Sequence, residues 1–218
     1  MTDAGGTDKA DAEKDDPAGA DSAADPTDAT SLTWRTDDRE SAYQCPGFSI
    51  VHESVTLPDG TETDFDYLHD VPSVVVIPFT PAGEVVVIDE WRQAVKRVVH
   101  GFPAGGVEPG EDLSEAAKRE LEEETGYEAA AVSHLDTFEP ATGISDAVFQ
   151  YFVATDCRPT GTQDLDDDES IRVRTSTLEE LLNDVFQGEL KDGRTALGLL
   201  RYALGDMDQI PVSPPNGP

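Results

Sequence analysis

The chain alternates between apolar and polar residues over its central part, from about residue 48 to about residue 204. SIVHESVTL and TETDFDYL alternate with a period of two on either side of PDG, which predicts a β-hairpin. VPSVVVIPF and EVVVIDEW are continuous β-branched apolar runs separated by TPAG, which predicts a second hairpin that is buried. AVSHLDTFE and VFQYFVATD predict two more strands.

Three other segments have the periodicity and the end residues of helices. The first covers residues 112–125, with a polar start at Asp112 or Ser114 and a stop at Gly126. STLEELLNDVFQGEL predicts a helix that ends near Gly188, and RTALGLLRYAL predicts a final amphipathic helix. Since the strands outnumber the helices and the helices come singly, the pattern predicts an α+β sandwich and not a doubly wound parallel sheet.

The composition divides the chain into four parts. Residues 1–30 are mostly Asp, Ala, Gly, Thr and Pro, and too few large apolar groups are present to offset chain entropy, so we expect a disordered acidic arm. We expect an N-terminal β-hairpin extension over residues 31–70 and one domain over residues 71–206. Residues 207–218 include VSPPNGP and predict a flexible tail.

The net charge narrows the range of partners. There are 46 acidic residues against 15 basic ones, giving a formal charge of -31. Nucleic acid and anionic membranes require Lys and Arg for binding, so we expect neither as a partner. Abundant acid with little Lys favours a halophilic protein kept in solution at high salt, and the alternative is an acidic cytosolic protein from an ordinary cell.

Targeting signals and cysteines favour a cytoplasmic location. No apolar run approaches the roughly 18 residues of a membrane span. The N-terminus is acidic, which is typical of neither a signal peptide nor a transit peptide. Cys45 and Cys157 are far apart, lack metal-ligand spacing and fit free thiols in a reducing compartment.

The segment GGVEPGEDLSEAAKRELEEETGY, residues 105–127, concentrates acid in one place. On a helix Glu120 and Glu124 project from one side, and Glu123 lies about 60° away on the other side of Glu120. We expect Leu113, Ala117 and Leu121 to dock the helix on the sheet. Glu122 is then directed outward, where it could pair with Lys118 at the i,i+4 spacing.

Close carboxylates repel each other unless a cation lies between them. Oxygen ligands without His or Cys suit Mg²⁺ or Mn²⁺ better than Zn²⁺, and Mg²⁺ is usually shared with substrate phosphates. The pattern therefore favours a phosphate-containing substrate. Before the helix, Pro103 to Gly106 allow a close backbone approach, and a carbonyl there could add a ligand. In a chain this acidic, the alternative is a solvated helix face without a function.

The whole segment resembles the Nudix box, a spaced motif in a predicted loop–helix–loop. Every fixed position of the box is present, and only the last apolar position is a loose fit; the matching residues are Gly105, Glu111, Arg119, Glu120, Leu121, Glu123, Glu124, Gly126 and Tyr127. The resemblance implies the Nudix fold, a mixed sheet sandwiched between helices, and hydrolysis of a nucleoside diphosphate derivative.

The resemblance also implies roles for individual residues. Glu120 and Glu124 would be the main metal ligands, with Glu123 assisting and the Ala104 carbonyl completing the shell. Glu111, Arg119 and Gly126 would be structural, with Glu111 and Arg119 bracing the loop and the helix.

The order of motifs from about residue 48 to residue 204 is similar to the ADP-ribose pyrophosphatase branch of this family. That similarity implies substrate contacts from Arg92, Ala104, Gly105 and Gly143, although a salt bridge to surface acid is an alternative for Arg92. Glu169, in DDDESIRV, is the first candidate for the general base, with Glu120 or Glu123 second, although it could simply belong to a solvated loop. The implied products are AMP and ribose 5-phosphate, and the implied assembly is a homodimer whose N-terminal hairpins shape the nucleoside pocket.

Some residues depart from that branch. Gly101 stands where a Glu is common, Thr142 replaces a Pro, and Ala147 also stands where a Glu is common, with Asp146 as a candidate to cover for it. Two alternatives to ADP-ribose hydrolysis remain. One is another Nudix substrate, such as a nucleotide sugar, a dinucleoside polyphosphate or an oxidised nucleotide. The other is a sensor that binds ADP-ribose without cleaving it. The four His residues lack ligand spacing, and we expect them to be structural or exposed.

Overall fold

The computed structural model of the chain describes residues 29–167 and 169–205. The tail predicted at the C-terminus and all but the last two residues of the predicted acidic arm lie outside these residues. A short 3₁₀ helix, Ala29–Leu32, precedes the first strand. None of the helices in the described ranges is both long enough and apolar enough to span a membrane.

Within the described residues there are more strands than helices, as the sequence predicted. The strands are β1 (Arg35–Gln44), β2 (Ser49–Thr56), β3 (Glu62–His69), β4 (Ser73–Pro78), β5 (Val85–Arg92), β6 (Arg97–Gly101), β7 (Ala104–Gly106), β8 (Tyr127–Glu128), β9 (Ala131–Phe138), β10 (Phe149–Thr155), β11 (Arg158–Pro159) and β12 (Ile171–Ser176). The helices are α1 (Leu113–Thr125), α2 (Leu178–Gln187) and α3 (Gly193–Gly205).

The N-terminal sheet contains β1, β2 and β3 in that order, all antiparallel. The hairpin of β2 and β3 was predicted, and its turn is closed by a hydrogen bond from the Gly60 amide to the Leu57 carbonyl at 2.9 Å. Strand β1 was not predicted because its sequence, RTDDRESAYQ, lacks an apolar alternation. Every side chain of β1 is exposed, so only the backbone pairing with β2 defines it as a strand.

The central sheet has the order β7-β4-β10-β9 and is mixed. Strands β4 and β10 are parallel, with Ser73 opposite Phe149, while β7 and β9 join antiparallel at the two edges. A third sheet has the antiparallel order β12-β5-β6.

The second predicted hairpin is wrong as a pairing of β4 with β5. A tight turn does join them, with Gly83 donating to the Thr80 carbonyl at 2.9 Å and an isolated bridge between Phe79 and Val85. The two strands then enter different sheets, β4 between β7 and β10 and β5 between β12 and β6. Both runs are apolar on both faces, and such runs need a neighbour on each edge but do not specify which neighbour.

The core lies on both faces of the central sheet, because alternate residues of β4 face opposite ways. One apolar cluster includes Val75 and Ile77 and is closed by helices α2 and α3; its other members include Val87, Phe102, Tyr151, Leu181 and Leu199. The other cluster includes Val74 and Val76 and is closed by α1; its other members include Ala116, Ala117, Leu121 and Phe152. This is the α+β fold with a mixed sheet between helices that the sequence predicted.

Candidate active site

Helix α1 carries most of the candidate residues, and both of its ends are fixed by the sequence. Asp112 is the N-cap and accepts a hydrogen bond from the Ser114 amide at 2.9 Å. Gly126 is the C-cap, with a φ of 66°, and its amide donates to the Glu122 carbonyl at 2.7 Å. Ala117 and Leu121 are fully buried against the sheet, as predicted, and this docking fixes the rotation of the helix.

Glu120 and Glu124 are both buried on the side of α1 that faces β7. The Ala104 amide donates to Glu124 Oε2 at 2.9 Å. Burial, the largest cause, and the nearby carboxylates of Glu120, Glu169 and Glu90 together raise the pKa of the Glu124 carboxyl to about 8, against the effect of that amide. Burial also raises the pKa of Glu120 above its ordinary value, although Arg119 opposes this shift.

Gly105 passes directly over the Glu120 carboxylate. A β-carbon on residue 105 would lie 2.2 Å from that carboxylate, so any side chain at this position requires the carboxylate to move. The pairing of Gly105 with Val74 and of Ala104 with Val75 fixes this approach. Residues 104 and 105 therefore lie against the two buried carboxylates, as the proposed ligand and substrate contacts require.

Arg119 joins the loop before α1 to the carboxylates on the helix. Its Nε and Nη2 donate to the two oxygens of Glu111 at 2.9 and 3.0 Å, and Nη2 also donates to the Gly106 carbonyl at 2.9 Å. Its Nη1 donates to Glu120 at 2.7 Å and to Glu123 at 2.9 Å. These bonds, with Glu111 the largest contributor, raise the pKa of Arg119 above its ordinary value. The bracing role of Glu111 and Arg119 stays a prediction, and this geometry supports it.

The surface ion pair predicted on this helix is wrong in its partner. Lys118 Nζ lies 2.7 Å from Glu115 Oε1, at the i,i+3 spacing, and does not pair with Glu122. Glu115 and Glu122 are both within reach of Lys118 on a helix, and sequence spacing does not decide between them. Glu122 is exposed, as expected.

The loop between β11 and β12 is attached to the C-terminal end of α1. Thr160 and Asp164 donate backbone hydrogen bonds to the carbonyls of Gly126 and Glu123 at 2.7 and 2.9 Å. The Gln163 side chain donates to the Glu124 carbonyl at 2.6 Å. The loop continues to Glu169, which is half-buried, and its carboxylate accepts from the Asp166 amide at 3.0 Å. Glu169 is thus near enough to raise the pKa of Glu120 and Glu124, but it is held by its own loop.

Two predicted substrate contacts differ in their surroundings: Arg92 is paired with a buried carboxylate, and Gly143 lies in an exposed loop. Arg92 Nη2 lies 2.7 Å from Glu90 Oε2, so Arg92 pairs with an acid, but with a buried one instead of the surface acid considered as the alternative. Gly143 lies in the exposed loop between β9 and β10, and no atom of the described residues would lie within 4 Å of a β-carbon built on it.

Glu90 belongs to the acidic cluster and was missed from the sequence. It is buried on β5, and burial raises its pKa while Arg92 and Arg194 lower it. The available signal was the run VVVIDE, a strand buried without interruption that ends on two acids. A buried polar group needs a partner, so such an ending indicates a site or an ion pair.

The chemistry of the donors suits a divalent cation. Within residues 29–167 and 169–205, no three Asp, Glu, His or Cys side chains already converge on a metal-sized position. Nevertheless Glu120 and Glu124 are buried together, the raised pKa of each reflects the cost of their negative charge, and the Arg119 guanidinium bridges Glu120 and Glu123 as a cation. Oxygen ligands of this kind suit Mg²⁺ or Mn²⁺.

A groove of about 750 Å³ runs along the outer side of α1 beside these carboxylates. Glu111, Arg119 and Glu123 line one side of it, and Thr162 and Asp164 line the other. Glu120 and Glu124 do not line it. An anionic ligand could enter such an acidic groove only together with cations.

Comparison with known proteins identifies the family. The model of the NUDIX domain matches residues 69–194. The ADP-ribose pyrophosphatase of Bacillus subtilis (strain 168) is 30% identical over 170 residues, which cover 78% of this chain and 92% of that protein. The methanol dehydrogenase activator of Bacillus methanolicus is 30% identical over 148 residues, 67% of this chain and 80% of that protein. A crystal structure of an ADP compounds hydrolase has the same fold, with a TM-score of 0.69 at 21% identity, over 81% of this chain and 97% of that chain.

Proposed function

This chain belongs to the NUDIX family and is a pyrophosphohydrolase, and we propose that it hydrolyses ADP-ribose to AMP and ribose 5-phosphate with Mg²⁺ or Mn²⁺. The observation that carries the proposal is the pair of buried carboxylates, Glu120 and Glu124, opposite the backbone of Ala104 and Gly105. The choice of ADP-ribose is supported by the 30% identity to an ADP-ribose pyrophosphatase that covers 92% of that protein.

Glu120, Glu124, Glu123 and the Ala104 carbonyl would hold the metal. When bound, the metal neutralises the anionic phosphate oxygens and polarises phosphorus. Arg119 and Glu111 keep the helix and the preceding loop in register, because Arg119 donates to both and to the Gly106 carbonyl. Gly105 allows the backbone of β7 to approach the Glu120 carboxylate closely.

Glu169 is the first candidate for the general base, with Glu120 or Glu123 second. Its carboxylate would take a proton from the water that attacks phosphorus, which requires it to be within hydrogen-bond reach of that water. The anchoring of the β11–β12 loop on the end of α1 supports this assignment. The Asp166 amide holds one Glu169 oxygen, and the other oxygen would accept the proton.

Arg92 would supply positive charge next to Glu90, a member of the cluster. Its ion pair with buried Glu90 orients the guanidinium, and an anionic phosphate competes well for such a group because Arg donates in a planar fork. Gly143, in the β9–β10 loop, would contact the remainder of the substrate through its backbone.

We further propose a homodimer formed through the N-terminal sheet. Large apolar side chains remain exposed there, and they lie on β1, on β3 or beside them: Leu32, Trp34, Tyr43, Phe48 and Phe65. Trp34 and Phe65 stack edge to face with ring centroids 6.0 Å apart. Exposed aromatic groups in one region of a surface mark an interaction site, and a second copy would cover them and shape the nucleoside pocket.

The location proposed is the cytoplasm of a cell with a high internal salt concentration. Cys45 and Cys157 are both free, and Cys157 is buried. The charge of -31 is the second support, since high salt screens the self-repulsion of such a surface.

Release of AMP from ADP-ribose, with and without Mg²⁺ in molar KCl, tests the proposal. Metal-dependent release supports it. Tight binding of ADP-ribose without release would replace it with the sensor function. Neither release nor binding would direct attention to nucleotide sugars, dinucleoside polyphosphates and oxidised nucleotides, which a substrate panel separates.

A further inference from the structure

The end of β3 is attached to the loop between β9 and β10 by several hydrogen bonds. His69 Nδ1 lies 2.6 Å from Asp146 Oδ2, and the other oxygen of Asp146 accepts from the Asp70 amide at 3.3 Å. The backbone adds two more bonds, from the Leu68 amide to the Ile144 carbonyl at 2.9 Å and from the Asp146 amide to the Leu68 carbonyl at 3.2 Å. We call residues 139–148 the β9–β10 loop.

The β9–β10 loop contributes little to the core. Ile144 is 69% exposed, and the other bonds at the tip of the loop are local, from the amides of Ile144 and Ser145 to the Ala141 carbonyl. A loop with few buried contacts takes its position from the few bonds at its base. Among these bonds, the His69–Asp146 pair is the one that joins two side chains.

The same attachment reaches the catalytic region through the next residues of the chain. The Val107 amide donates to the Pro72 carbonyl at 2.9 Å, and Ser73 pairs with Gly106. Gly106 in turn accepts from Arg119, which holds Glu120. Residues 70–73 thus connect the base of the loop to the backbone that lies over Glu120.

We propose that His69 and Asp146 are positioning residues that hold the β9–β10 loop against the end of β3, so that the loop is in place when substrate binds. The proposal rests on the proposed function only in its use of ADP-ribose as the substrate. The proposal also gives Asp146 a role different from that of the Glu that is common at position 147 in the ADP-ribose pyrophosphatase branch. Both oxygens of the Asp146 carboxylate already have partners within the fold. Breaking the pair frees the loop and weakens substrate binding, while the buried carboxylates remain where they are.

The chain provides a matched control for this pair. His52 Nδ1 lies 2.7 Å from Asp66 Oδ1, nearly the same geometry, but these residues are on the neighbouring strands β2 and β3 of one sheet. Loss of that pair leaves the backbone pairing of β2 with β3 in place and breaks no bond to the β9–β10 loop. Asp146→Asn is the conservative variant, since its amide retains a hydrogen-bond acceptor for the Asp70 amide and a donor for the neutral imidazole.

The experiment compares His69→Ala, Asp146→Ala, Asp146→Asn and His52→Ala in the full chain. The first readout is hydrogen exchange at the amides of Leu68 and Asp146, which does not depend on the substrate. The second is KM and kcat for ADP-ribose. An exposed ion pair changes the equilibrium between the attached and the detached loop by a factor of about five at most. We therefore expect KM to rise about fivefold in His69→Ala and Asp146→Ala, with kcat within about twofold of the wild type. Exchange should be faster in the same two variants.

His52→Ala should leave both readouts unchanged, and Asp146→Asn should remain close to the wild type. Equal effects in His52→Ala and His69→Ala would overturn the proposal, because they would reflect weakening of the sheet. Faster exchange with an unchanged KM would also overturn it, since the loop would then not serve binding. If the wild type does not cleave ADP-ribose, the proposed function fails, and exchange still decides whether the pair holds the loop.

Discussion

Gly105 and Glu120 are so close that a β-carbon on residue 105 would lie 2.2 Å from the Glu120 carboxylate. The contact joins two distant parts of the chain, an edge strand and the middle of a helix. Its closeness means that the strand cannot carry a side chain there unless the carboxylate moves. The position of the Glu120 carboxylate therefore depends directly on which residue occupies position 105.

Gly105→Ala should inactivate the enzyme without unfolding it. The added methyl group displaces the Glu120 carboxylate by about 1 Å, and a displacement of that size in a catalytic group costs about 100-fold in kcat. Steady-state hydrolysis of ADP-ribose and thermal unfolding measure the two parts of this expectation. Gly47→Ala is the control, because a β-carbon at residue 47 meets nothing within 4 Å. Full activity in Gly105→Ala would contradict the assigned role of Glu120.

Glu124→Gln should remove most turnover, at least about 100-fold, while the melting temperature stays the same or rises. Gln retains the acceptor for the Ala104 amide but removes a carboxyl whose ionised form is disfavoured by burial and by the nearby Glu120 and Glu169. The metal therefore loses a ligand and the fold loses a repulsion. Turnover and calorimetry in the same buffer test both halves.

Glu122→Gln is the matched control for Glu124→Gln, since residue 122 is exposed on the same helix. It should behave as the wild type in both measurements. If Glu122→Gln lost as much activity as Glu124→Gln, the effect would come from the charge of the helix and not from a ligand.

The expected ends and buried face of α1 depended on local sequence, and both were confirmed. The N-cap at Asp112 and the stop at Gly126 are set by backbone groups at the helix ends, which nearby residues satisfy. The contact of Gly105 with Glu120 was expected only as a close approach, because its distance depends on the pairing of β7 with β4, between residues far apart in sequence.

Errors occurred where several partners were equally suitable. Strands β4 and β5 were expected to pair, since they are adjacent and apolar, but each has neighbours from later parts of the chain. Strand β1 was missed because its exposed side chains follow no alternation. Glu90 was missed because the chain contains 46 acidic residues, and only burial distinguishes this one from the surface acids.

The buried carboxylate of Asp89 should make stability depend on acid pH. Burial alone would raise its pKa, but hydrogen bonds from Arg172, Arg174 and His100 lower it from 3.8 to about 2. The folded state therefore favours the charged form, and this contribution, about 2 kcal/mol, is complete above pH 4. As the pH falls from about 4 to about 2 the contribution is lost. Urea unfolding of the wild type and Asp89→Asn at several pH values measures it.

The difference in unfolding free energy between wild type and Asp89→Asn should be largest at neutral pH and should shrink below pH 4. Asp136→Asn serves as the control, because the Asp136–Arg201 pair, at 2.6 Å, is much more exposed. An exposed pair of this kind contributes at most about 1 kcal/mol. A difference for Asp89→Asn that is constant from pH 7 to pH 2 would show that its charge does not matter.

The full chain should have about twice the mass of one chain, which is 23.4 kDa, when measured by light scattering in molar KCl. Trp34→Ala combined with Phe65→Ala should shift the protein to the monomer, because the exposed rings of the N-terminal sheet would no longer bury apolar area against a second copy. Phe186→Ala is the control, since Phe186 is 77% exposed on α2. A monomeric wild type would exclude the proposed interface.

The parallel pairing of β4 with β10 determines when the enzyme becomes active during synthesis. Helix α1 and all of the Nudix box lie in the connection between these two strands. The ribosome therefore adds every acidic residue of the box before it makes β10. Pairing between such distant segments is slow, because the connection must be closed before the contacts form. A nascent chain that ends before β10 thus carries the whole motif, yet it lacks the strand that pairs with β4 and joins β9 to the central sheet, and it should not hydrolyse anything.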